Sequence, residues 1–367
     1  NLIMNLTDRG IGAYIGAAIG DAMGGPVECN HAARIKRLVG EITGLLPYQE
    51  PYTLIELHPG YALRPDAGAV TDDTFIRGDF TRFYLGTEPP RTPAMLADWL
   101  LCYADFSQWW RPAVEGLRRV ERGEVSAEEA GLTYVQGGGI GWWTPAGILY
   151  GGDPARAAAE VRSLSRIWKA PLEQDLLAAA IAALAEGLRE GATVASMLEA
   201  MLAQCGPLAT QLVERAIGIA ERATSVDDLV DKLYHPVLML PDQLGPTREP
   251  PRTVDAPLLA IGKPLADTDE KYSTCFYAEQ VPLIVAAFVY GQGEPRSIPV
   301  CCMLGRDCDS TATTVGAWVG ALRGESGLPR EWVEPVCRVN LAEIDIRGLA
   351  EQIVALAASS TRAGRAQ

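Results

Sequence analysis

The chain has 367 residues, 48% hydrophobic and 21% charged, which excludes wholesale disorder and leaves room for about two domains or one large core. Lys plus Arg number 32 against 46 Asp plus Glu, a net charge of −14, so a general role on nucleic acid or an anionic membrane surface is excluded. The first predicted helix covers 11–23, with Ile11, Tyr14, Ile15, Ala18, Ile19 and Ala22 on one stripe. Gly12, Gly16, Gly20 and Gly24 follow at intervals of four and leave a bare groove that another backbone could approach closely. Helices are predicted next over 74–85 and 94–104. Ala/Leu-rich helices follow over 172–188, 197–203 and 208–223, and three more over 277–290, 310–323 and 341–358. Tyr52–Leu57 is the one candidate strand. Gly40–Ala69 and Pro236–Ser273, rich in Pro and Gly, read as long loops, which in a compact domain tend to be functional. The expected architecture is a single all-α domain over 10–358, with flexible termini at 1–9 and 359–367.

The longest apolar runs, Leu176–Ala185 and Leu283–Tyr290, are too short to span a bilayer. No charged-then-apolar segment opens the chain, and the expected compartment is the cytoplasm. Eight cysteines without a CxxC, and with Cys301 and Cys302 adjacent, argue against a disulfide scaffold and against a structural zinc site. Cys102, Cys205, Cys275 and Cys337 are expected to pack as small hydrophobes. His31, His58 and His235 are too scattered to suggest a Ser-His-Asp triad.

Two acidic clusters stand out, Thr71-Asp72-Asp73-Thr74 and Gly305-Arg306-Asp307-Cys308-Asp309-Ser310. Each precedes a helical pattern, and taken singly each reads as an ordinary helix start, with Thr71 and Ser310 as caps and acids placed on the helix dipole. Together, four carboxylates and two hydroxyls form a hard-oxygen set suited to one or two Mg²⁺ ions, with Mn²⁺ an alternative. Were the two starts to converge, a cation would be needed to offset the repulsion. A metal pair roughly 3.5–4 Å apart could polarise a bridging water. Cys308, a soft donor, is expected to stay outside such a shell.

Three motifs in order resemble the ADP-ribosylglycohydrolase family: Gly20-Asp21-Ala22 with Pro26-Val27-Glu28 on and after the first helix, Thr71-Asp72-Asp73-Thr74, and Gly305-Arg306-Asp307-Cys308-Asp309-Ser310 before a small-residue helix. The similarity runs over about residues 10–325. It implies a compact all-α fold around a binuclear Mg²⁺ centre, with Thr71, Asp72, Asp73, Asp307, Asp309 and Ser310 as ligands. It places Glu28 as a mobile gate or general acid/base and counts Asp307 and Asp309 with it as catalytic residues. Asp21 matches a family acid that either holds the first helix to the metal loops or meets substrate. The implied reaction is hydrolysis at C1 of a ribosyl or ADP-ribosyl group, with a small-molecule or protein-borne substrate and no nucleic acid or membrane partner. A non-catalytic member of the fold would be expected to have a broken ligand set, and this one is intact.

The chain departs from the family's pattern in the middle loop. Where many members carry Gly-Asn-Gly-x-x-Met-Arg, this sequence reads Gly137-Gly138-Gly139-Ile140-Gly141-Trp142-Trp143, without the Asn or the Arg. The glycine run could be a phosphate-cradling nest or a hinge. Gly138, Gly139, Trp142 and Trp143 are the expected substrate-binding residues. The added indoles point to stacking on a planar group, and so to a compact riboside with a planar leaving group. Of Trp109 and Trp110, and of Trp142 and Trp143, one ring of each pair is expected in the core and one on the rim. Glu279 could support the metal ligands or be a surface acid.

Overall fold

The computed structural model describes residues 2–54, 66–133, 139–234 and 276–365. Helix punctuation in the sequence sets the order of elements. α1 (Leu2–Gly24) turns at Gly25–Val27 into a two-residue strand, β1 (Asn30–His31), and then α2 (Ala32–Leu38), whose start is capped by His31 Nδ1 accepting from Ala33 N at 3.0 Å. α3 (Asp72–Gly86) starts at Thr71, and α4 (Pro93–Tyr103) and α5 (Arg111–Glu121) each carry proline in the first two positions, where no amide hydrogen is needed. Two short helices, α6 (Ala130–Thr133) and α7 (Thr144–Leu149), precede α8 (Pro154–Leu164), α9 (Pro171–Gly187), α10 (Val194–Leu202), α11 (Pro207–Arg222) and α12 (Val226–Leu233). Thr193 and Ser196 close a reciprocal capping box on α10. After α13 (Tyr277–Tyr290) and α14 (Ser297–Met303) comes β2 (Gly305–Arg306), followed by α15 (Cys308–Arg323), α16 (Arg330–Val339) and α17 (Ile346–Arg365). No helix among the described residues is long and apolar enough to cross a membrane.

The bare groove on α1 is filled by α15. A Cβ at Gly16 would lie 2.2 Å from the Gly316 carbonyl oxygen, and one at Gly20 1.9 Å from that of Ala312. In return, a Cβ at Gly316 would lie 1.9 Å from the Gly16 oxygen, and one at Gly320 1.9 Å from the Gly12 oxygen. The two helices touch backbone to backbone, as small-residue stripes permit. On the far side of α3, Phe80, Trp109, Trp142, Trp143 and Trp168 form a cluster of rings, with Phe80 and Trp143 4.8 Å apart edge to face.

Several expectations need correction. Residues 52–54 of the candidate strand form a turn, and 55–57 lie outside the described residues. The sheet that is seen is the antiparallel pair Asn30↔Arg306 and His31↔Gly305, which two-residue length hides from any periodicity argument. α1 begins at Leu2 and α17 reaches Arg365. Asp8 and Arg9 are tied to the body of the fold, Arg9 donating to the carbonyls of Gly187 at 2.8 Å and Arg189 at 2.9 Å and Asp8 accepting from Ser326. Of the cysteines expected to pack as small hydrophobes, Cys102 is exposed, while Cys205 and Cys337 are half-buried against the core; Cys301, Cys302 and Cys308 are the fully buried thiols. Apolar neighbours in sequence do not fix which way a helical residue faces. Cys275, His58, His235 and the predicted loop over 236–273 lie outside the described residues.

Candidate functional site

The two acidic clusters converge. Thr71 caps α3, its hydroxyl accepting from Asp73 N at 3.3 Å, and the same hydroxyl donates to Asp21 Oδ1 at 2.6 Å and lies 3.2 Å from Asp309 Oδ2. Ser310 Oγ donates to Asp73 Oδ2 at 2.6 Å across 237 residues of sequence. Glu28, Asp307 and Asp309 each offer a carboxylate oxygen within 4.8 Å of the others. Asp72, half-buried beside Asp73, adds its charge to the field felt by both Asp73 and Asp307.

Asp21 occupies the hub of the first cluster. Its carboxylate accepts from Thr71 N at 3.1 Å, from Thr74 N at 3.1 Å and from both threonine hydroxyls. Arg77, fully buried, donates to the Thr74 hydroxyl at 3.0 Å and lies over the Tyr14 ring. Asp21 therefore ties α1 to the start of α3. Asn340, at the end of α16, secures the segment leading there: it accepts from Val70 N at 3.0 Å and donates to Gly68 O at 2.9 Å.

The second cluster is set by the β1–β2 pair. Cys29 (φ 61°), Gly305 (φ 71°) and Arg306 (φ 66°) all have left-handed backbones, a strained state for the two non-glycine residues that surrounding contacts must hold. Cys29 N donates to Arg306 O at 2.6 Å, which brings Glu28 and Asp307 to face each other. Arg306 forks onto Glu279 with bonds of 2.5 and 2.9 Å, and the adjacent Gln280 donates to Asp307 Oδ2. Two consecutive residues of α13 thus hold two consecutive residues of β2 and its exit. The N-terminus of α13 is itself fixed by Glu173, which accepts from the amides of Tyr277 at 2.8 Å and Ala278 at 3.2 Å. Glu279 is a buried ion-pair partner and not a surface acid.

Crowding shows in the electrostatics. Burial, then the charge of Glu28, pushes Asp307 up to about 7. Burial with the neighbouring carboxylates holds Asp73 and Asp309 well above the usual range, and burial raises Asp21. Such a set invites a cation, and a structural observation supports the fit: Asp309 Oδ1 is buried with no hydrogen-bond partner among the described residues. The donors are hard oxygens, as Mg²⁺ or Mn²⁺ prefers. Cys308 turns away, its thiol directed at Gly24 O at 3.4 Å.

The chain matches the family described as ADP-ribosylglycohydrolase over residues 3–363. It belongs to the ADP-ribosylglycohydrolase family. Among solved structures, one titled "ADP-ribosylglycohydrolase-related protein complex" is similar, with a TM-score of 0.60 at 19% identity over 96% of this chain and 99% of that one. At that identity the likeness is one of fold. No curated protein matches. An ADP-ribosylglycohydrolase is a glycosidic hydrolase acting on ADP-ribosyl-type substrates, and the acidic cluster is a group able to hold a metal.

The middle loop sits differently from expectation. Gly138 lies outside the described residues. Gly139 is left-handed at φ 83°, and a Cβ there would come within 2.4 Å of the Trp142 ring. Trp142 and Trp143 are 3% and 1% exposed, so neither is the expected rim residue, whereas Trp109 is buried and Trp110 half-buried as anticipated. Thr74, Gln280 and Asn340 were missed. Thr74 closes the Thr71-Asp72-Asp73-Thr74 motif and Gln280 follows Glu279; Asn340 carries no sequence signal.

Proposed function

We propose that this ADP-ribosylglycohydrolase family member is a Mg²⁺-dependent hydrolase of the C1 glycosidic bond of a ribosyl or ADP-ribosyl substrate. The observation that carries the reading is the convergence of Glu28, Asp73 and the Asp307–Asp309 pair from three separate segments around the unpartnered Asp309 Oδ1. Thr71, Asp72, Asp73, Asp307, Asp309 and Ser310 would hold two ions. Bound there, Mg²⁺ would supply charge neutralisation and Lewis acidity toward ribose hydroxyls and water. A ribosyl C1 bound beside the carboxylates would gain positive charge as its bond breaks, and their field would favour that change. Asp307 and Asp309 orient the attacking water, and Glu28 receives or returns the proton at its carboxylate. Asp21 acts through Thr71 and Thr74, keeping their hydroxyls aimed.

The compact-riboside reading required open indole faces at Trp142 and Trp143. Both are packed against Phe80, so the conclusion is drawn for the ribosyl unit, and the leaving group is assigned by experiment. ADP-ribosyl-arginine, ADP-ribosyl-serine and small ribosides are incubated with metal-free and Mg²⁺-restored protein, and released ADP-ribose or ribose is measured. Mg²⁺-dependent release from at least one is expected. Full activity after exhaustive EDTA treatment ends the metal-dependent reading, and no release from any of them leaves a binding protein.

A further inference from the structure

We infer that Trp142 is a positioning residue for the metal centre, its indole N–H fixing the orientation of the Asp73 carboxylate; this rests on the metal-dependent reading above. Trp142 Nε1 donates to Asp73 Oδ1 at 2.5 Å, while Ser310 Oγ donates to Asp73 Oδ2 at 2.6 Å. One donor on each oxygen fixes the carboxylate plane and leaves defined lone pairs for a cation. Groups that orient a metal ligand in this way matter to affinity nearly as much as the ligand itself.

The surrounding structure is built for that contact. The Trp142 ring is wedged among Phe80, Trp109 and Trp168, with centroids 6.1, 5.8 and 6.3 Å away. Gly139 gives the ring room where any Cβ would strike it at 2.4 Å. Gly141 lets the same turn press on α15, since a Cβ there would lie 2.2 Å from Thr313 Cγ2. The glycine run therefore serves to seat an indole against a carboxylate, and neither the phosphate nest nor the hinge reading is needed to explain Gly139 and Gly141. An N–H donor suits this place because it favours the charged carboxylate and cannot itself accept a proton.

The test uses Trp142→Phe, which keeps a ring and removes the donor, with Trp109→Phe as the packing control. Trp109 lies in the same ring cluster, but its indole donates to Asp79 at 2.8 Å. In metal-free protein, the Trp142 indole ¹⁵N–¹H resonance, identified by its loss in Trp142→Phe, should move markedly in Asp73→Ala. An unmoved resonance overturns the inference. Mn²⁺ uptake, followed by the paramagnetic resonance of the free ion, should weaken about 10–100-fold in Trp142→Phe and stay within about twofold in Trp109→Phe. Equal affinity in wild type and Trp142→Phe overturns the positioning role while the metal reading stands. Wild-type protein that takes up no Mn²⁺ overturns both together.

Discussion

The carboxylates are backed on their two sides by opposite packing solutions. Behind Asp309 and Ser310, α15 rests on α1 through glycines and alanines, with carbonyl oxygens filling the places where side chains would stand. Behind Asp73, α3 leans through Phe80 on four tryptophan rings. The glycine seam has no adjustable part, because backbone meets backbone. The ring cluster is made of side chains that can tilt or shift to absorb a change in volume. Geometry on the Asp309 side is therefore set by main chain, and on the Asp73 side by side-chain contacts, of which the Trp142 bond is the one that reaches a ligand.

Both sides serve one centre if Asp309→Asn and Asp73→Asn each lower Mg²⁺-dependent turnover about a thousandfold, the size of several kcal/mol of lost charge stabilisation. Thermal melting of the metal-free variants should hold or rise, because each removes repulsion from a crowded cluster. Loss on one side alone would split the site in two. Next in size, Gly16→Ala should reduce stability by about 3 kcal/mol in denaturant titration, since the new methyl meets the Gly316 carbonyl. Phe80→Leu, which takes atoms out of the ring cluster where Gly16→Ala adds one to the seam, should lose only about 1–2 kcal/mol. The reverse ranking would show that the rings, and not the seam, are the rigid support.

The smallest effect is in pH. Asp307 stands at about 7 in the folded protein against an ordinary 3.8. Between those values the folded state holds a proton that the unfolded state has released, so its contribution favours folding below about pH 4 and is lost as pH rises through 7. Melting of metal-free wild type should therefore decline from pH 5 to 8. Asp307→Asn should flatten that slope, and an unchanged slope would place the titrating group elsewhere.

Much of the seam was legible because glycine at every fourth position admits few structural reasons. The two acid clusters were equally plain as helix starts, although only Thr71 caps its helix; Ser310, expected to cap, lies inside α15, whose N-cap is Asp307. Their meeting could not be read, because nothing local relates Thr71 to Asp309, and it took the family resemblance to suggest it. The ring side was misjudged for a related reason. Trp142-Trp143 in a glycine-rich stretch looks like an exposed loop, yet burial there is decided by Phe80 and Trp168 from other helices. Asn340 and Gln280 are single polar residues whose roles depend entirely on which backbone lies opposite.

The seam also bears on how the molecule is made. Its two halves, α1 and α15, lie near opposite ends of the chain, and the Thr71–Asp309 contact joins positions 238 residues apart. On the ribosome, α1 emerges long before α15 and must wait, its glycine face uncovered, until α15 has been synthesised. Closing so long a loop late makes for slow, non-local folding with apolar surface exposed in the interval. The same delay keeps Asp307 and Asp309 away from Glu28 and Asp73 until α15 has been made, so the full carboxylate set comes together late.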